Sequence, residues 1–278
     1  MRVVDALVED VNRAGVDLVA VSGDLTQRAF PRQFEAARAL LDRFDAPWLA
    51  VPGNHDVYPW WRPGQRLIVP VRRFRRYICD DPYPRKTLPG AEVVGVNSAH
   101  GWTVMGGRLG PRERDAIRDG FSAPGSAGVV FSGGDGSVAD ARSADRPVRI
   151  LVVHHHLHVL QEVGPHDVSR GATKALQTAA EAGADLILCG HLHVSHIEHV
   201  MTTRPGREPG SRSRTDHRIV IASAGTATST RGRRSNRRTN FYNQVRTGDG
   251  WFEVEERRYD PVANRFASTR TQRFDVAD

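Results

Sequence analysis

Apolar residues recur along the chain with two different periods. Over residues 4–11 they repeat at helical spacing, and Gly15 ends that helix. Residues 17–21 then form a predicted strand, and Pro31 begins a second helix with an apolar face. This alternation of helix and strand predicts an α/β fold with a buried sheet.

The same pattern places further elements along the chain. Two polar segments, 121–147 and 203–217, are predicted surface insertions, because their composition buries little apolar area. The predicted strands cover 48–51, 92–96, 148–153, 185–189, 218–223 and two or three alternating stretches within 240–278, and the remaining helices cover 70–78 and 171–182. We therefore expect one domain that spans residues 1–278.

The composition is that of an ordinary soluble protein. The chain has 278 residues, of which 39% are hydrophobic and 26% are charged. No apolar run approaches the ~18 residues of a membrane helix, and the acid-containing N-terminal segment does not resemble a secretory signal. The two cysteines, Cys79 and Cys189, make no disulfide framework. These features predict a cytoplasmic protein with no membrane partner.

The net charge is +7, and nearly all of the basic residues are arginines. Arginine richness can mark nucleic-acid or phosphate binding, or it can reflect genome composition on solvated surfaces. The scattered placement favours the second interpretation for most of the chain. One dense cluster, RGRRSNRR at 231–238, keeps a nucleic-acid substrate open without favouring it.

Residues able to bind a metal follow four of the predicted strands. They are Asp24; Asn54, His55 and Asp56; His154, His155 and His156; and His191 with His193. The carboxyl ends of the strands in an open α/β sheet form the edge where ligands bind. Carboxylate, amide and imidazole groups together suit zinc, manganese or iron rather than calcium. Each motif alone is ordinary in a turn or on a surface, but their joint placement favours a metal site.

Four motifs, VSGDLT, PGNHD, VVHHHL and CGHLH, occur in this order and resemble those of the calcineurin-like metallophosphoesterases. The resemblance runs from about Val3 to Arg231 and is strongest to the bacterial class III cyclic-nucleotide phosphodiesterase branch. It implies a sandwich of two mixed β-sheets flanked by helices, with a dinuclear metal centre at one edge. It also implies hydrolysis of phosphodiesters, cyclic nucleotides among them, through attack by a metal-activated hydroxide.

The resemblance also assigns ligand roles to individual residues. Asp24 would bridge two divalent metal ions of the manganese, iron or zinc type. Asn54 and His191 would bind the second ion, and His193 would bind the first. One histidine after the strand at 148–153 would complete the second site.

That histidine is His154 or His155, because the chain has HHHL where the branch usually has HHP. We favour His154, since it is the first polar residue after the apolar strand. His156 and His158 are then expected in a loop near the substrate or in solvent.

The remaining roles concern the substrate, which we expect to be a small phosphoester. His55 would protonate the leaving group or hold a phosphate oxygen, with Asp56 orienting its ring. His100 and Arg231 are weaker candidates for substrate contact, and the segment at 60–62 is a candidate for the border of the pocket.

One departure from the family pattern changes the expectation. The family begins with a strand that ends in Asp-x-His and binds the first metal, and no such motif precedes Asp24 here. The first metal would then keep only Asp24 and His193, whereas the second keeps all four ligands. We therefore expect a fold without the first strand and a site for one metal.

Three explanations of this departure are open, in this order: an upstream start codon, a decayed gene, or a protein that works with one metal or without catalysis. The alternatives to a phosphodiesterase are a non-catalytic relative, which the missing motif favours, and a nuclease, which the arginine cluster at 231–238 would support. The intact GNHD motif favours an enzyme, because His55 contributes little to metal binding by itself.

Overall fold

The computed structural model describes residues 2–103, 106–122, 146–161, 163–164, 166–205, 214–229 and 239–276. Its helices are α1 (Arg2–Ala14), α2 (Pro31–Leu41), α3 (Pro63–Ile68), α4 (Arg72–Tyr77), α5 (Pro111–Ser122) and α6 (Ala172–Glu181), with a 3₁₀ turn at Asn54–Asp56. Its strands are β1 (Val19–Val21), β2 (Trp48–Ala50), β3 (Arg85–Leu88), β4 (Ala91–Val96), β5 (Val148–Val153), β6 (Leu186–Cys189), β7 (His196–Pro205), β8 (Arg214–Ser223), β9 (Phe241–Gly248), β10 (Trp251–Asp260) and β11 (Arg265–Asp275). Within the described ranges, no helix has the length and apolar content needed to cross a bilayer.

A six-stranded sheet of order β3-β4-β5-β6-β8-β7 forms the centre of the fold. Its four inner strands run parallel, and β3 and β7 pair antiparallel at the two edges. The inner strand β5, VRILVV, is almost fully buried, which explains its nearly continuous run of apolar residues. Helices α5 and α6 cover one face of this sheet, where Ile117, Leu151 and Ala175 belong to one buried cluster.

A second layer covers the other face of the central sheet. It consists of the parallel pair β1–β2 and the antiparallel sheet β11-β10-β9. Leu49 of β2 and Phe252 and Val254 of β10 pack in one cluster with Val152 of β5. Strand β2 therefore packs against the face of the central sheet to which β5 contributes.

The predicted mixed α/β class is confirmed, but the described strands divide differently from the expected two mixed sheets. One sheet is mixed and six-stranded, whereas the second layer separates into a parallel pair and an antiparallel triplet. Strands β9, β10 and β11 are long and consecutive, so they pair with one another as an antiparallel meander. Strands β1 and β2 are short and pair in parallel over three residues each.

Helices α3 and α5 and strands β3 and β7 were not predicted from the sequence. In α5 only Ile117 and Phe121 supply buried apolar side chains, so its periodic signal is weak against many charges. Strands β7 and β8 extend into the predicted insertion at 203–217, because Thr203 pairs with Asp216 across the hairpin. The remainder of the two predicted insertions, 206–213 and 123–145, lies outside the described residues.

Helix α1 packs on the antiparallel sheet through both apolar and charged contacts. Leu7 and Val11 join a cluster with Phe266 of β11. The buried carboxylate of Asp10 accepts a hydrogen bond from Arg257 Nε at 2.9 Å. Arg257 also bonds Glu255, and Tyr242 also donates to Asp10, so loss of either partner would leave a poorly exposed charge with fewer partners, at a cost in stability.

We predict that Leu151→Ala in β5 lowers the free energy of unfolding by ~2–5 kcal/mol, because it opens a cavity in a fully buried position. Urea unfolding followed by circular dichroism measures the change. Val262→Ala is the matched control, since Val262 is 95% exposed and its truncation should change stability by less than ~0.5 kcal/mol. Equal effects of the two substitutions would contradict the assigned core.

Candidate metal centre

The loops that follow β1 and β2 approach each other closely. Gly23 has φ +96°, and a Cβ there would lie 2.6 Å from Gly53 N and 2.7 Å from His154 Nδ1. A Cβ on Gly53 would overlap the Asp24 carboxylate. Both positions therefore require glycine, which is the physical basis of the GD and GN sequences. The loops are joined where His55 N donates to Asp24 Oδ1 at 3.0 Å.

Asp56 stabilises this junction from below. Its buried carboxylate accepts hydrogen bonds from the backbone N–H groups of Gly53 at 2.9 Å, Leu25 at 3.2 Å and Thr26 at 2.9 Å. The sequence analysis expected Asp56 to orient the His55 ring, but the ring bonds a different residue. Its Nδ1 instead donates to the carbonyl oxygen of Gln27 at 2.9 Å. Because backbone N–H groups of both loops donate to the Asp56 carboxylate, Asp56 affects His55 through the position of the turn and not through its ring.

Two histidine side chains converge on the amide oxygen of Asn54, and one of them also approaches the Asp24 carboxylate. His154 Nε2 lies 3.1 Å and His191 Nδ1 lies 3.0 Å from Asn54 Oδ1. His154 Nε2 is also 3.4 Å from Asp24 Oδ1. These four residues come from the ends of β1, β2, β5 and β6, and they are the four ligands predicted for the second metal.

The chemistry of this group fits a cation. His154 Nδ1 donates to the carbonyl oxygen of Ser22 at 2.6 Å, so the lone pair of a neutral His154 ring is on Nε2. That lone pair then faces an amide oxygen and a carboxylate, which are themselves acceptors. A divalent ion satisfies such an arrangement, and a histidine ligand whose second nitrogen bonds a backbone carbonyl is typical of metal sites.

His155 lies in the same group. His154, His155 and His191 each offer one ring nitrogen, and these three atoms lie within 4.8 Å of one another. His155 Nδ1 is 2.8 Å from the Ser98 hydroxyl, which orients the ring toward His191, with 4.6 Å between the ring centroids. The structure therefore brings both candidates of the histidine run to the cluster, and the choice between them stays a prediction.

The backbone of the centre is strained. Among the described residues, the non-glycine positions with positive φ include Asp24 at +58°, His191 at +64° and His193 at +56°. Residues other than glycine seldom adopt this conformation, and such strain concentrates at functional sites. Three of the predicted ligands thus have a backbone conformation that the surrounding packing must hold in place.

The two carboxylates of the centre differ in their electrostatics. Burial alone would raise the pKa of Asp24, but the neighbouring His154, His55 and His191 lower it below its ordinary value. Burial, followed by the charge of Asp24, raises the pKa of Asp56 to about 6. The lowered pKa of Asp24 favours its anionic form, which is the form that binds a metal ion.

Other predicted positions lie apart from the cluster. His193 follows His191 in the same loop but is not among the three clustered histidines, and its ligand role stays a prediction. His100 Nε2 faces Glu113 of α5 at 3.9 Å. His156 is fully buried, with Nε2 3.2 Å from Ser223 Oγ, so the expectation that it lies in solvent is wrong, whereas its place near the substrate stays a prediction. Arg231 lies outside the described residues.

Fold and centre together define an α/β protein with a group of histidines that could hold a metal ion at the carboxyl ends of its strands. The family model described as calcineurin-like phosphoesterase matches residues 2–195, which is more than half of the chain. The chain belongs to the calcineurin-like phosphoesterase family, whose members depend on metal. This confirms the resemblance carried by the four motifs.

One curated relative is a probable cyclic nucleotide phosphodiesterase of Psychrobacter sp. (strain PRwf-1). It is 26% identical over an alignment of 197 residues, and the match covers 68% of this chain and 49% of that protein. The chain thus spans about half the length of the curated relative that it matches. This relative supports the predicted bacterial cyclic-nucleotide branch.

Solved structures similar to this chain include two forms of Vps29 from Entamoeba histolytica. The single mutant has a TM-score of 0.41 at 11% identity and covers 98% of this chain and 87% of that chain. The double mutant has a TM-score of 0.40 at 10% identity, with coverage of 95% and 85%.

We predict that His191→Ala weakens metal binding by more than ~10-fold, because it removes a nitrogen from the converging set. Titration of the apo chain with Mn²⁺ or Zn²⁺, followed by calorimetry, measures the affinity. His199→Ala is the matched control, since His199 is exposed on the neighbouring strand β7. The site assignment is wrong if the two variants bind metal equally well.

We predict that His154→Ala loses more metal affinity than His155→Ala, because His154 Nε2 lies 3.4 Å from Asp24 Oδ1 as well as 3.1 Å from Asn54 Oδ1. Both variants are compared with the parent chain in the same titration. A larger loss in His155→Ala would instead make His155 the ligand of the histidine run.

Proposed function

We propose that this chain is a metal-dependent phosphodiesterase whose centre is built from Asp24, Asn54, His154 and His191. The observation that carries the proposal is His55, a histidine held at the edge of the cluster without belonging to it. Its backbone N–H bonds Asp24, and its ring bonds the carbonyl oxygen of Gln27. We propose that this fixed imidazole acts on the substrate beside the metal and does not bind the metal itself.

The tautomer of His55 supports this role. A carbonyl oxygen only accepts, so Nδ1 carries the proton that bonds Gln27. Nε2 is then the atom that can approach a phosphoryl oxygen or, when protonated, give its proton to the leaving alkoxide. His55 is partly exposed, in contrast to the buried Asp56 beside it. A positioned acid of this kind contributes typically ~10²–10⁴-fold to rate.

A bound divalent ion would polarise the phosphoryl oxygens and lower the pKa of a water molecule toward neutrality. Asp24, Asn54, His154 and His191 would hold one such ion, and Asp24 with His193 would contribute to a second. The anionic Asp24 at the centre reduces the net positive charge that the ions bring. We propose manganese, iron or zinc for this mixed oxygen and nitrogen set.

The substrate proposed is a small phosphodiester, with cyclic nucleotides as the first candidates. The similarity to the Psychrobacter protein supports this choice. The fold by itself does not name a substrate, because one fold hosts many activities. The substrate must therefore be tested directly.

We predict that His55→Ala keeps the metal content of the parent chain and lowers turnover by ~10²–10³-fold or more, because one electrostatic contact to the reacting phosphate is lost. Metal per chain is measured by elemental analysis, and turnover by Mn²⁺-dependent hydrolysis of bis(p-nitrophenyl) phosphate. His199→Ala again serves as the matched control, since its exposed ring lies outside the centre.

The outcomes separate the candidate functions. Equal loss of metal and turnover in His55→Ala would make His55 a ligand and contradict its assigned role. A parent chain that binds metal and hydrolyses neither this diester nor 3′,5′-cyclic AMP would favour the non-catalytic alternative. The measured metal per chain also tests whether one ion or two are held.

A further inference from the structure

Three tryptophans are exposed on the two loops that lead away from the metal centre. Trp60 and Trp61 follow the 3₁₀ turn that carries His55, and they are 50% and 58% exposed. Trp102 follows β4 and is 71% exposed. Tryptophan is highly buried on average, and grouped exposed aromatic rings mark surfaces that bind something.

Arg66 fastens these two loops together. Its buried guanidinium donates to the carbonyl oxygens of Tyr58 in the first loop and of Gly101 and Thr103 in the second, the latter two at 2.9 and 2.7 Å. The same guanidinium lies 4.0 Å from the ring centroid of Trp60. Trp60 is therefore packed on one side by a fixed cation, while half of its surface stays exposed.

Trp61 is held by the segment that also orients His55. Its ring lies 6.3 Å from the ring of Phe30, and the Arg28 guanidinium lies 5.8 Å from its centroid. Arg28 directly follows Gln27, whose carbonyl oxygen bonds the His55 ring. One short stretch of chain thus contacts both the proposed acid and the exposed indole.

The second loop likewise begins at the metal centre. Ser98 bonds the ring of His155, and Trp102 lies four residues further along the same loop. Gly101 permits the close contact with α3, because a Cβ there would overlap the carbonyl oxygen of Arg66. Both loops therefore run from residues of the centre to exposed tryptophans, and a buried arginine sets their separation.

We infer that Trp60, Trp61 and Trp102 form an aromatic platform that stacks the nucleobase of a nucleotide phosphodiester while its phosphate lies at the metal centre. This inference rests on the proposed function and names the substrate group that the site would recognise beyond the phosphate. An indole packed on one side and open on the other is a stacking surface for planar bases of any sequence. Arg28 adds a cation beside Trp61, which suits an anionic nucleotide.

The test compares two ligands that differ only in the base. Calorimetric titration of the Mn²⁺-loaded chain with AMP and with ribose 5-phosphate isolates the contribution of adenine. We expect AMP to bind at least ~5-fold more tightly, the lower range of one stacking contact. Trp61→Ala should remove this preference and leave the affinity for ribose 5-phosphate unchanged, and Trp61→Phe should retain part of it.

Ile68→Ala is the matched control, because Ile68 is an apolar residue of the same region, at the end of α3, and is 80% exposed. It should keep the full preference for AMP. Equal affinities of the parent chain for AMP and ribose 5-phosphate would overturn the platform, as would an equal loss of preference in Ile68→Ala. If diester hydrolysis persists in that case, the proposed function stands without the platform. If the chain binds neither phosphate ligand and hydrolyses no diester, both the platform and the proposed function are wrong.

A single-stranded tetranucleotide titrated in the same way distinguishes the source of the base. Tighter binding of the tetranucleotide than of AMP, lost in Trp61→Ala, would support the platform with a nucleic-acid strand as its ligand. Binding no tighter than AMP, with the same loss, would support the platform with a mononucleotide.

Discussion

The close approach of the loops after β1 and β2 is the constraint on which the metal centre depends. Gly23 and Gly53 leave no room for side chains, so the backbones meet and His55 N–H reaches the Asp24 carboxylate. Asp56 then holds both loops through three backbone N–H groups. Any widening of this junction would move Asp24 and Asn54 away from the histidines of β5 and β6. The positions of the ligands thus follow from two missing side chains and one buried carboxylate.

The central sheet supplies the rigidity that this junction needs. Strand β5 is buried on both faces and delivers His154 and His155 directly at its end, while β6 delivers His191 through a left-handed backbone turn. A strained turn persists only where the surroundings over-determine it. Here the buried neighbours Cys189 and Leu192 fix the chain on both sides of the turn. The large apolar core therefore serves the chemistry by holding costly backbone conformations.

Charge is arranged around the centre in layers. The nearby histidines lower the pKa of Asp24. Asp56 instead accepts hydrogen bonds from backbone N–H groups of the two loops. His55 occupies the boundary between the buried centre and solvent, with its ring fixed by Gln27. These contacts support the metal site proposed for this member of the calcineurin-like phosphoesterase family. The two loops that carry Trp60, Trp61 and Trp102 are joined in a similar way, because Arg66 donates hydrogen bonds to backbone carbonyl oxygens of both.

Much of this protein was determined by the sequence alone. Continuous apolar runs located the inner strands, and the order of the GD, GNHD, HHH and GHLH motifs identified the family and the histidines that cluster, because strand ends in an α/β sheet share one edge. Only the tertiary structure decided what depends on contacts between distant segments. It assigned the His55 ring to Gln27 rather than to Asp56, buried His156, and divided the second layer into a parallel pair and an antiparallel triplet. Residue patterns encode local periodicity, whereas hydrogen-bond partners and sheet edges are set by how separate segments pack.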